Sequence, residues 1–215
     1  MKPDEVAAYL KQHPEFFEDY ADQLAEIYIP HPHGGRAIPI TERQIVTLRD
    51  KNKQLEGKLR EVIQFGEEND AISEKVHRIS VALLAASDIR GVLNAVYLNL
   101  REDFSVPHVA LRAWRANGPT DLPEFKPLSD AAREFATGLT HPYCGGHSAV
   151  DAAGLFGEAS AHLRSFSYVA LRERETFGLL ALASEDPQRF YPEMGTHYLK
   201  RLGELIGAAI ARHLK

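Results

Sequence analysis

Ile45, Leu48, Asn52, Leu55, Leu59 and Val62 recur in alternating steps of three and four residues, and Arg49, Lys51, Glu56 and Lys58 stand beside them. An α-helix turns every 3.6 residues, so this spacing aligns them in one narrow stripe, narrower than the face a helix buries against its own domain. The pattern predicts a coiled-coil seam. Asn52 at a seam position favours a two-stranded register, because its amide can bond its symmetry mate at some cost in stability. A parallel homodimer is the expected assembly. Thr41-Glu42-Arg43-Gln44 has the form of a capping box, which opens the helix with Thr41 as the cap.

The repeat breaks after Val62. Phe65 comes three residues on and Gly66 takes the next seam position, before Asn69, Ile72, Val76, Ile79 and Leu83 resume the spacing. A three-residue step of this kind changes the face a helix presents, so the helix is expected to change partner or bend here. Upstream, residues 3–28 read as two short amphipathic helices interrupted at His13-Pro14, and Ile29-Pro30-His31-Pro32-His33-Gly34-Gly35 reads as a connector. His31 and His33 lack the further ligands a metal site needs, so an exposed loop is the expectation. The resulting division is 1–38 for the N-terminal helical segment and connector, 39–78 for the coiled-coil helix and 79–215 for a folded domain.

Within that domain Asp88 is placed to cap a helix through Leu100, Val109 to Trp114 reads as a strand, and Asp130 to Thr137 as a short helix stopped by Gly138. Phe166 to Arg172 and Phe177 to Ser184, joined by the polar turn Glu173-Arg174-Glu175-Thr176, predict an antiparallel hairpin. Pro192 suits the first turn of a final helix carrying Tyr198, Leu202, Leu205, Ile206, Ala209 and Ile210 on one face. The fold class is α+β, with one sheet face covered by terminal helices and the other by loops, where a pocket is expected.

Charge and composition narrow the function. A net charge of -5 gives no general drive to bind a phosphate backbone, so direct nucleic-acid binding is not expected. No apolar run reaches the roughly 20 residues of a membrane span, and Met1-Lys2-Pro3-Asp4-Glu5 lacks a signal peptide's pattern. With one cysteine, Cys144, no disulfide can form within the chain. The cytoplasm is the expected compartment, with no membrane association.

Several stretches together carry a family resemblance: Ile29-Pro30-His31-Pro32 with Gly34-Gly35, Thr41-Glu42-Arg43-Gln44-Ile45 into Leu48-Arg49-Asp50-Lys51-Asn52, Glu68-Asn69-Asp70, Pro142-Tyr143-Cys144-Gly145, Leu155-Phe156-Gly157, and Phe177 through Ser184 to Asp186-Pro187 and Met194-Gly195-Thr196. In these the chain resembles the proteobacterial domain of unknown function 484 family over nearly its full length. The resemblance implies a GAF-like domain behind a helical extension. GAF-like domains bind small ligands and often signal through a parallel helical dimer; for this family no ligand is implied. Tyr191 departs from the Ser, Thr or Asp expected to cap a helix at Pro192-Glu193. No stretch is left over for an output domain, so output is expected through the stalk, the N-terminal helices or a partner protein.

His141-Pro142-Tyr143-Cys144-Gly145-Gly146-His147 is the segment with most chemistry, since a thiolate between two imidazoles can ligate zinc or attack an electrophile. Zinc needs further ligands, with His162 or Asp151 as candidates, and a cysteine nucleophile needs an oriented base and an oxyanion site that nothing here spells. Methionine sulfoxide reduction needs a second, resolving thiol. The favoured reading has Cys144 packed as a small apolar group and Tyr143 lining a pocket. Tyr143 and Cys144 are pocket candidates from the resemblance, and Tyr168 from its strand position. No catalytic or metal residue is assigned. The expectation is a non-enzymatic, homodimeric regulatory or adaptor protein with a small-molecule or protein partner. Its alternatives are a scaffold with a filled pocket and a Cys144-dependent enzyme or zinc site.

Overall fold

A computed structural model describes residues 2–29, 38–114, 119 and 121–214. The chain divides into two compact units, Met1–Glu67 and Glu68–Lys215. In the first, helix α1 (Pro3–Gln12) opens with proline at a position where no amide partner is needed, and the Glu5 carboxylate accepts from the Lys2 amide at 2.9 Å. His13-Pro14 ends it, as the proline predicts. Two helical turns follow instead of one helix, α2 (Phe16–Asp19) and α3 (Ala21–Ala25), with the Phe16 and Tyr20 rings stacked at 4.7 Å. Strands β1 (Tyr28–Ile29) and β2 (Ile38–Pro39) pair across the connector, a ladder too short for periodicity to announce. His31 and His33 lie outside the described residues, as do the side chains of the expected capping box at Thr41 and Glu42.

Helix α4 runs 46 residues from Ile40 to Ala85. In the second unit it is followed by α5 (Ile89–Glu102), whose cap is the expected one: the Asp88 carboxylate accepts from the Gly91 amide at 2.7 Å. Strand β3 (His108–Ala113) comes next, then a 3₁₀ turn at Pro123–Phe125. Helix α6 (Asp130–Gly138), capped by Ser129, leads to β4 (Tyr143–Gly145). Helix α7 (Ala152–Phe156) and a 3₁₀ segment, Gly157–His162, precede β5 (Ser165–Arg172), β6 (Thr176–Ser184) and α8 (His197–Arg212).

The four strands form an antiparallel sheet in the order β3-β6-β5-β4. Alternation along its two central strands divides the core. Val169, Leu171, Leu180 and Leu182 face Ile79, Leu83, Val96, Leu202 and Ile206 from the long helices, whereas Phe166, Tyr168, Leu179 and Ala181 join Ala136, Phe135, Leu155 and Phe156 on the other side. With both faces covered, β6 is buried from Phe177 to Ala183 and reads as a continuous apolar run rather than an alternating one.

Two expectations are corrected. The second sheet face is covered by α6 and α7 as well as loops, because Ser129 caps a helix whose Ala132, Phe135 and Ala136 present an apolar side to the sheet. The last helix starts at His197, not Pro192: without a side-chain cap at Tyr191, residues 191–196 form turns, with the Met194 amide donating to the Tyr191 carbonyl at 3.0 Å. Among the described residues no helix is long and apolar enough to cross a membrane.

Candidate functional site

β4 carries the segment singled out in the sequence, and its pleat decides what each residue can do. Successive strand side chains point to opposite faces. Tyr143, registered against Tyr168, faces α6 and α7; Cys144, registered against Ser167, faces the long helices. Tyr143 and Tyr168 are therefore brought together, while Cys144 lies across the sheet from both.

The tyrosine side is filled with rings. Tyr168 is 0% exposed, and its centroid lies 5.9 Å from Tyr143, 5.7 Å from Phe135 and 6.3 Å from Phe166. The Phe135 contact is edge-on, an arrangement aromatic quadrupoles favour. Ser148 donates its one hydroxyl proton to the Val150 carbonyl at 2.6 Å, so the Tyr168 hydroxyl is the donor in the 2.5 Å bond between the two side chains. Burial pushes the Tyr168 phenol up. Tyr143 turns its hydroxyl onto the His147 carbonyl at 3.1 Å, and its oxygen lies 2.5 Å from where a β-carbon on Gly145 would be. Any larger residue at 145 would displace that ring, which explains the glycine.

Cys144 donates weakly to the Ser167 hydroxyl, 3.6 Å away, and burial pushes its thiol up. A raised pKa is opposite to what a nucleophilic or metal-ligating thiolate needs. His141 and His147 are both exposed and stay on the surface at the strand ends. Among the described residues no group of three or more His, Cys, Asp or Glu side chains is placed to hold a metal ion. His141 lines an edge cavity of about 330 Å³ with Lys200 and Glu204, which are 4.0 Å apart.

The residues of the expected seam are exposed on α4. Ile45 is 50% exposed, Leu48 64%, Leu55 64%, Leu59 60% and Val62 65%, and Asn52 is exposed with them. One feature escaped sequence reasoning: a cavity of about 230 Å³ between α4, α5 and α8, on the face opposite the tyrosines. Its walls come from residues far apart in the chain, and only the basic residues Lys75 and Arg189 within apolar surroundings offered a signal.

The profile of the family described as "Protein of unknown function, DUF484" matches residues 1–215. A curated relative, the uncharacterized protein YigA of Salmonella typhimurium, is 23% identical over 98% of this chain and 91% of its own length. Similar solved structures include the GAF domain of a phosphoenolpyruvate-protein phosphotransferase from Coxiella burnetii, 15% identical over 66% of this chain and 93% of that one, with a TM-score of 0.47. The A. aeolicus nlh2 GAF domain in an inactive state is 11% identical over 67% and 98%, with a TM-score of 0.48.

Proposed function

Since this chain belongs to the DUF484 family of proteins of unknown function, matched over residues 1–215, we propose that it is a dimeric regulatory or adaptor protein in which α4 joins two copies and the α+β unit binds a small molecule. The observation that carries the reading is the row of seam side chains on α4. Five large apolar groups at heptad spacing are half or more exposed in a single chain. Covering that seam with a second copy removes apolar surface from water at roughly 25 cal/mol per Å², and Asn52 supplies the pairing that favours two strands.

The N-terminal helices and the strand β1 that follows them supply the surface for a protein partner. Tyr9, Phe17, Tyr20, Ile27 and Tyr28 are each more than two-fifths exposed, and aromatic side chains of this kind are enriched at interfaces. A non-enzymatic role is favoured because the one cysteine is buried with its thiol pushed up. The cytoplasm is favoured by that thiol, which has no second cysteine to pair with.

A second reading, a scaffold that binds no ligand, draws on the ring cluster around Tyr168, which fills the sheet face where a pocket was expected. The test of the main reading is the solution mass of the full chain by light scattering. The wild type should be a dimer and Leu55→Asp a monomer. An unchanged mass in Leu55→Asp would overturn the stalk.

A further inference from the structure

We propose that the cavity between α4, α5 and α8 binds a small amphipathic carboxylate. Its floor is made by core side chains, Leu100, Leu182 and Leu202, exposed by 0%, 1% and 2%. An unfilled apolar cavity destabilises a fold in proportion to its volume, and an apolar ligand body relieves that cost. At about 230 Å³ the space lies below the roughly 300–1,000 Å³ usual for ligand pockets, which suits one aromatic ring or a medium-length alkyl chain.

The rim is cationic. Lys75 and Arg189 both line the cavity and converge on Phe104: the lysine Nζ lies 6.0 Å from its ring centroid, and the guanidinium donates to its carbonyl oxygen. Neither cation has a carboxylate partner among the described residues. Asp103, beside that point in the chain, is held by Arg78 at 2.7 Å, and Arg90 has its own partner in Asp121. Two unneutralised cations at the mouth of an apolar hole select a ligand with an anionic head and an apolar body. A guanidinium fork matches a carboxylate in shape as well as charge. Tyr198, on the same wall, donates to the Asn69 carbonyl at 3.1 Å and lies 3.0 Å from the Ser73 hydroxyl, so an occupant abuts the contact that pins this part of α4.

This site deepens the small-molecule part of the reading above and does not depend on the α4 dimer. The chain has two methionines, Met1 and Met194, and Met194 lines the cavity. Full-length protein labelled with ¹³C at the methionine methyls is titrated with octanoate, octanol and octylamine, with Met194→Leu assigning the signals. Millimolar octanoate should shift the Met194 methyl saturably and leave Met1 in place; octanol should bind more weakly, and octylamine not at all. Lys75→Gln and Arg189→Gln should each weaken octanoate by about tenfold, the usual worth of a charged hydrogen bond. An unmoved Met194 signal, equal shifts at both methyls, or equal responses to octanoate and octylamine overturn the proposal. The solution mass of the same samples separates the two readings. A monomer that binds octanoate overturns the stalk and leaves this site, and a dimer that does not bind does the reverse.

Discussion

Gly203 on α8 and Val169 on β5 are in such close approach that a β-carbon on the glycine would overlap Val169 Cγ1. At Gly207, one turn on, an added β-carbon would make a tight but milder contact, 3.3 Å from the Arg172 carbonyl oxygen. The helix lies on the sheet along a track from which side chains are missing. Gly203→Ala should cost about 1–3 kcal/mol, the usual penalty of overpacking, and Val169→Ala added to it should recover part of the loss. Denaturant midpoints of the two single variants and the double variant check this. Additive costs would mean that the two sites do not meet.

Cys144 sets a pH dependence. Burial raises its pKa in the folded chain, so between the unfolded and folded values the native thiol keeps a proton that the unfolded thiol has lost. Raising the pH then favours unfolding. The stabilisation is complete below the unfolded value of about 8.5 and declines above it. Denaturant midpoints measured from pH 7 to 10 should fall along this limb, and Cys144→Ala should flatten it. Alkylation of the native thiol at pH 8 should be far slower than in denaturant.

Tyr168 contributes through both its ring and its hydroxyl. Removing the hydroxyl in Tyr168→Phe leaves Ser148 without its donor and should cost about 1 kcal/mol. Tyr168→Ala removes a ring that is 0% exposed and should cost about 3–5 kcal/mol. Chemical denaturation separates the two losses.

In the proposed dimer, Asn52 bears on the uniqueness of the assembly rather than its strength. Asn52→Val should raise the thermal midpoint and spread the solution mass beyond the dimer, because an apolar seam tolerates other registers and strand numbers. A variant that remains strictly dimeric would show that the asparagine does not specify strand number.

Periodic features were legible in the sequence. The long helix α4, the β5–β6 hairpin and the Asp88 cap each rest on local spacing or on one residue's hydrogen-bonding habit, and local rules suffice for them. Tyr143 and Cys144 were grouped as pocket residues from the family resemblance, which says nothing of the face each side chain takes. The strand that sends them to opposite faces has three residues, too few for an alternating pattern to be visible. The ring cluster escaped for another reason: Phe135, Tyr143 and Tyr168 come from three elements, and only the register of Tyr143 against Tyr168 joins them. The cavity beside Lys75 is likewise made by helices meeting, which no single segment encodes.

The sheet order has a consequence for biosynthesis. β3 pairs with β6, the last strand of the chain, and the apolar faces of α4 and α5 are covered by Leu180, Leu182, Leu202 and Ile206. Ile79, Val92, Val96 and Leu100 thus leave the ribosome about 100 residues before their partners, an interval of roughly 5–20 s at ordinary elongation rates. Throughout that time the nascent chain carries two amphipathic helices with nothing to pack on, and its interior can close only once β6 and α8 have emerged.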